Sequence, residues 1–155
     1  MGGQNAAIVL DDADLDWAAE QVASAAMGWS GQRCTATGRV IVEERVFEEF
    51  TEIFLGKISA LVVGDPMAQE TSLGPVSTSQ QFDSIASLIS TGVSQGARVL
   101  VGGVPRRREG AGYFVEPTVL ERVEPANGLF TDEVFGPGGG VMEARGRKTA
   151  LRVAH

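Results

Sequence analysis

Cys34 is the only thiol of the chain, and His155, its last residue, is the only imidazole. A thiolate becomes a strong nucleophile where an exposed turn, a nearby cation or unpaired backbone N–H groups stabilise its charge. Gly31-Gln32-Arg33-Cys34 offers a tight backbone, a cation next door and small neighbours. The competing reading is a small buried hydrophobe, the commoner fate of a lone cysteine. With the single His at the last position, a cysteine–histidine dyad of the protease kind is excluded. A reactive Cys34 must be activated in another way. One thiol also forms no internal disulfide, and with one imidazole it offers no zinc site.

A second group is Asp132-Glu133, followed by Val134-Phe135-Gly136-Pro137. By itself Glu133 reads as an exposed loop carboxylate, and Phe135 as an anchor for the loop. A carboxylate beside an aromatic ring can also hold a ribose diol while the ring packs on a flat heterocycle. Gly2-Gly3 do not make the G-x-G-x-x-G dinucleotide motif, and no strand precedes them. Asp11, Asp12 and Asp14 read as helix capping, since Asp accepts backbone N–H bonds at an N-cap and favours the positive end of the dipole.

The elements that must position these groups follow from periodicity. Residues 6–10 are a short apolar run, predicted as a buried strand. Leu15, Ala18, Ala19, Val22, Ala23 and Ala26 recur at helical spacing, and the small side chains predict close packing on another element. Gly28 to Gly31 breaks that helix. Residues 29–39 read as a loop ahead of a β-branched strand, Val40-Ile41-Val42. Phe47, Phe50, Ile53, Phe54 and Ile58 form the apolar stripe of a second helix, stopped by Gly64-Asp65-Pro66. Ser77 or Thr78 caps a third through Phe82, Ile85, Ile89 and Val93, ending at Gly96. Residues 98–101 are a strand. Residues 113–120 are extended, with Pro117 marking an edge or a bend. Gly136-Pro137-Gly138-Gly139-Gly140 reads as a flexible stretch where a strand ought to begin, and the helical start at 150–154 as one without a partner. Helices alternating with short strands predict an α/β chain with a mostly parallel sheet.

Thirteen Lys+Arg against twenty Asp+Glu give a net charge of −7. Nucleic acid is not an expected partner, because binding phosphates needs a basic face that displaces counterions. The one basic cluster, Arg106-Arg107-Arg108, is interrupted by Glu109 and reads as a solvated loop. No apolar run approaches the roughly 18 residues of a membrane span, and the start lacks a basic-then-apolar leader. Ala6 departs from the myristoylation pattern. A chain of 155 residues allows one domain. A cytoplasmic, soluble, metal-free protein is expected.

Four motifs then occur in order: Gly2-Gly3-Gln4-Asn5, Gly31-Gln32-Arg33-Cys34-Thr35-Ala36, Gly112-Tyr113-Phe114-Val115-Glu116-Pro117-Thr118 and Asp132-Glu133-Val134-Phe135-Gly136-Pro137. Together they closely resemble the NAD(P)-dependent aldehyde dehydrogenase superfamily. Residues 8–15, 63–66 and 73–76 look like that family too. The likeness runs from Met1 to about Pro137 and returns at 150–154.

The resemblance implies that Cys34 is the nucleophile, attacking an aldehyde carbonyl to give a thiohemiacetal. Hydride loss to NAD or NADP and hydrolysis of the thioester then yield a carboxylic acid. It implies that the Cys34 backbone N–H helps to stabilise the oxyanion. Glu133 matches the carboxylate on the nicotinamide ribose, and Phe135 the ring beside it; Gln32 and Arg33 look like positioning residues. A small-molecule aldehyde is the implied substrate and a homo-oligomer the family's assembly. The Gly-Gln-Arg-Cys-Thr-Ala wording is similar to bacterial members acting on semialdehydes such as 2,5-dioxovalerate. The family's general-base Glu precedes the position that Met1 occupies, so residues 1–155 are expected to be part of the catalytic domain, without that Glu or the Rossmann-like cofactor domain. Gly138 stands where the family has Val, and Gly139-Gly140 are expected to loosen the strand. Two other readings compete: a catalytically inactive remnant or truncated gene product, and a residual thiol esterase using Cys34 alone.

Overall fold

The computed structural model describes residues 3–105 and 112–155. The elements run β1 (Asn5–Val9), α1 (Leu15–Met27), β2 (Thr37–Glu43), α2 (Phe47–Ser59), α3 (Ser79–Ser94), β3 (Arg98–Val101), β4 (Thr118–Glu121), α4 (Gly128–Thr131), β5 (Gly138–Ala144) and α5 (Gly146–Ala154). The strands make one sheet in the order β1-β2-β5-β4-β3. β1, β2, β5 and β4 are parallel, and β3 joins β4 antiparallel. This is the mostly parallel α/β arrangement that the alternation predicts.

Side-chain alternation sorts the two faces. Val40 and Val42 of β2 and Val141 of β5 pack with α1 and α2. Leu120 and Met142 pack with α3 around Phe82, Ile85 and Ile89, while Ile41 and Ala144 receive Ala150 of α5. β2 is buried on both faces, which is why Val40-Ile41-Val42 is an unbroken apolar run. Asp14 caps α1, its Oδ1 accepting from the Trp17 N–H at 3.1 Å. The small side chains Ala19, Ala23 and Ala26 lie buried where α1 packs against α2. Lys57 of α2 pairs with Asp16 at 3.2 Å and Glu20 at 3.1 Å on α1. Trp17, in the first turn of α1, is 66% exposed. Thr78 caps α3, accepting from the Gln81 N–H, and Gly96 follows its end at φ 103°.

Several expectations need correction. β1 is an edge strand with only Val9 buried, not a buried one. β2 begins at Thr37, so three residues read as loop belong to the sheet. α2 ends at Ser59, ahead of Gly64. β4 is an inner strand; Pro117 stands immediately before it, where no ladder donor is required. The largest correction concerns the glycines. Gly138, Gly139 and Gly140 are the first rungs of the central strand β5, paired with Thr118, Val119 and Leu120. A Cβ on Gly139 would sit 2.8 Å from the Gly38 carbonyl oxygen, and one on Gly140 would sit 3.2 Å from Val123. Gly139 and Gly140 answer crowding rather than a need for flexibility, whereas a Cβ on Gly138 would meet only ordinary contacts from 3.6 Å. α5 is likewise not partnerless, since Ala150 is fully buried against the sheet. Nothing in the sequence pointed to the single turn of α4. The Arg106-Arg107-Arg108 cluster lies outside the described residues.

Candidate active site

After Met27 the chain turns back through a 3-10 segment, Gly28–Gly31. Trp29 (φ 58°), Ser30 (φ 54°) and Gly31 (φ 67°) are all left-handed there. A non-glycine residue so placed costs of order 1–3 kcal/mol, so the surroundings must hold it. Ser30 Oγ donates to the Gly74 carbonyl at 2.8 Å, and Gln32 Oε1 accepts from the Ser77 N–H at 2.9 Å. Arg33 Nη2 donates to the carbonyls of Ser24 and Ala25 at 3.3 and 3.4 Å. The cation that the sequence puts beside the thiol is thus engaged with the negative end of α1. Trp29 itself is 79% exposed.

Cys34 is exposed, on a turn closed by the Ala36 N–H donating to the Arg33 carbonyl at 3.0 Å. The buried-hydrophobe alternative fails on that exposure. Among the described residues, none accepts a hydrogen bond from the Cys34 backbone N–H. Asn5 Nδ2 donates to the Cys34 carbonyl at 2.7 Å and to that of Ala36 at 3.0 Å.

The carboxylate loop hangs from α4. Buried Asn127 caps α4, accepting from the Leu129 N–H at 3.0 Å and donating to the Gly92 carbonyl of α3 at 2.9 Å. Glu133 follows, half-buried, and Phe135, 37% exposed, takes a left-handed φ of 47°. Gln81 of α3 donates to the carbonyls of Val134 at 3.3 Å and Phe135 at 2.9 Å, with Val134 buried beneath. A half-buried carboxylate two residues from a partly exposed aromatic suits a nucleoside's diol and flat base.

The two loops touch. A Cβ on Gly31 would lie 2.0 Å from the Gly136 carbonyl oxygen and 2.9 Å from the Pro137 nitrogen. Between them runs a crevice of about 20 Å³, lined by Gly31, Ala36, Thr37, Glu133, Phe135 and Gly136 among others. It has room for about one water. Glu133 and Phe135 are therefore brought against the flanks of the Cys34 turn, while Cys34 itself does not line the crevice. A larger cavity, of about 580 Å³, is bounded by Asp65, Gly102, Phe114 and Glu116 and shares no residue with either loop. Among the described residues there is no group of three potential metal ligands, and no helix is long and apolar enough to cross a membrane.

Sequence reasoning assigned no individual role to Gln4, Asn5, Arg39 or Gln81. Each is polar and reaches backbone carbonyls far away in the chain, a pairing that leaves no spacing signature. Only the Gly2-Gly3-Gln4-Asn5 motif drew attention to the first two.

The Aldehyde dehydrogenase family matches residues 1–155. The chain is 36% identical over 157 residues to the alpha-ketoglutaric semialdehyde dehydrogenase of Bacillus subtilis, covering 100% of this chain and 32% of that protein. It is 37% identical over 155 residues to the succinate semialdehyde dehydrogenase [NAD(P)+] of Escherichia coli, covering 100% of this chain and 33% of that protein. Among solved structures, a mutant of aldehyde dehydrogenase C from Pseudomonas syringae in complex with NAD+ and octanal superposes with a TM-score of 0.91 at 31% identity, covering 99% of this chain and 32% of that one. The chain therefore spans about a third of the length of the curated relatives it matches.

Proposed function

The chain belongs to the aldehyde dehydrogenase family, and from that premise we propose that it carries the nucleophile and part of the cofactor site of an enzyme oxidising an aldehyde to a carboxylic acid with NAD+ or NADP+. The observation that carries this reading is an exposed Cys34 on a turn whose Gly31 flank abuts the loop of Glu133 and Phe135. Residues 1–155 correspond, on this reading, to part of the catalytic domain of such an enzyme, in the cytoplasm, where a free thiol stays reduced.

Cys34 Sγ, as thiolate, adds to the aldehyde carbon and forms a thiohemiacetal. The Cys34 backbone N–H, which has no acceptor among the described residues, would meet the oxyanion. Glu133 would hold the ribose hydroxyls of the nicotinamide nucleotide, and Phe135 would pack beside it. The bound nucleotide supplies the hydride acceptor. Cys34 is left as a thioester, which water hydrolyses with a general-base carboxylate from elsewhere in the complete enzyme. The semialdehyde enzymes among the relatives favour a substrate with a second, acidic end.

Mixing the 155-residue polypeptide with an activated ester such as p-nitrophenyl acetate tests the nucleophile. A burst of p-nitrophenolate equal to the protein, with one acetyl group on Cys34 by mass spectrometry and none in Cys34→Ala, is expected. Absence of acylation at Cys34 overturns the reading and leaves the catalytically inactive relative. The same polypeptide, given NAD+ and a panel of aldehydes, is expected to form no NADH, because the base and the cofactor domain are not among its residues.

A further inference from the structure

We propose that Gln4 and Asn5 are positioning residues, a two-residue bracket that fixes the Cys34 turn and the Glu133 loop relative to each other. The inference rests on the roles proposed above for Cys34 and Glu133. Successive side chains of an extended segment point to opposite sides. Here that alternation sends one amide to each loop. Asn5 Nδ2 spans the carbonyls of Cys34 and Ala36 at 2.7 and 3.0 Å. Gln4 Nε2 donates to the Leu129 carbonyl at 3.2 Å and also to that of Asp132, the residue before Glu133.

The bracket is itself held. Arg39 of β2, 7% exposed, donates from Nη2 and Nε to the Gln4 carbonyl at 2.7 and 3.2 Å. Its guanidinium lies 5.1 Å from the centroid of Phe130, between the two loop residues that Gln4 contacts. The β1–β2 register slips between Asn5 and Ala6, where Asn5 faces Thr37 and Ala6 faces Arg39. Gly38, the residue skipped, leaves space for the bracket: a Cβ there would sit 2.6 Å from Gln4 Oε1. Both loops thus share one anchor at the start of β1 rather than holding only each other.

The test uses the full chain, with hydrogen exchange read peptide by peptide. Asn5→Asp and Gln4→Glu keep the size of the side chain but turn a donating amide into a carboxylate facing two carbonyls. In Asn5→Asp, exchange over residues 33–37 rises about tenfold while residues 129–136 stay within twofold of the parent, the response to losing one or two local hydrogen bonds. Gln4→Glu gives the reverse pattern. Acidifying Asn5→Asp until its new carboxyl is protonated restores part of the protection relative to the parent at the same pH, because its single O–H again donates to one of the two carbonyls. Should either variant fail to fold, Asn5→Ser and Gln4→Met remove the reach or the donor without adding charge and are read in the same way. Unchanged exchange in the contacted loop, or equal loosening of both loops by each variant, overturns the bracket. Exchange is independent of Cys34 chemistry, so a failed bracket and a failed nucleophile are separately visible.

Discussion

At the scale of single residues, the contact between Gly31 and Gly136 is the most exacting feature of the site. Gly31→Ala forces a left-handed alanine and pushes a methyl into the Gly136 carbonyl. We expect a loss of ~2–4 kcal/mol, from the φ penalty and overpacking together, measured by urea denaturation. Gly56 is the control. It lies exposed in α2 with nothing within 4 Å of a would-be Cβ, so Gly56→Ala should stabilise by about 0.5–1 kcal/mol. Much of this was readable in the sequence only as residue type. Cys34, Glu133 and Phe135 were nominated by chemistry and motif, and Cys34 does stand exposed. That Arg33 serves the end of α1 was not readable, because its acceptors are backbone carbonyls that carry no identity.

At the scale of elements, one buried side chain both caps α4 and ties it to α3. Asn127→Ala strips the cap from α4 and leaves its tie to α3 unmade, in a position 2% exposed. A cost of about 1–3 kcal/mol is expected in thermal unfolding followed by circular dichroism. The α1–α2 pair carries a pH signature. Hydrogen bonds that Lys57 donates to Glu20 and Asp16, in that order of weight, raise its pKa above the ordinary 10.5. A raised pKa in the folded state adds stability that is complete below the unfolded value and vanishes as pH climbs through the folded one. The melting-temperature advantage over Lys57→Met should therefore hold steady up to about the ordinary lysine value of 10.5 and close above it. Long, strongly periodic helices such as α1 and α3 were legible together with their caps. The start of β5 was not, because three glycines signal a loop locally and only the neighbours Gly38 and Val123 show why a side chain is excluded at Gly139 and crowded at Gly140.

At the scale of the whole molecule, α5 closes the sheet and completes Arg39. Two of the guanidinium's acceptors are the carbonyls of Val153 and Ala154, at 2.9 and 3.0 Å. Burial holds the Arg39 pKa below the usual arginine value, so this charge depends on its acceptors. Deleting residues 146–155 removes those carbonyls and uncovers Ile41 and Ala144. A loss of ~3–5 kcal/mol is expected from the two charge-assisted hydrogen bonds and the uncovered apolar surface together, enough to bring a chain of this size close to its unfolding limit at 37 °C, as a denaturant titration would reveal. The sheet class was legible because apolar alternation is local, whereas the closing role of α5 joins residues more than a hundred positions apart. The placement of the two tryptophans, one on α1 and one ahead of Cys34, has its own consequence for any such titration. Both indoles already stand in water at 66% and 79% exposure. Their emission should be red-shifted from the outset and barely move on denaturation while the backbone signal collapses. That mismatch between probes would ordinarily be taken as an intermediate, but in this chain it marks only where the fluorophores sit.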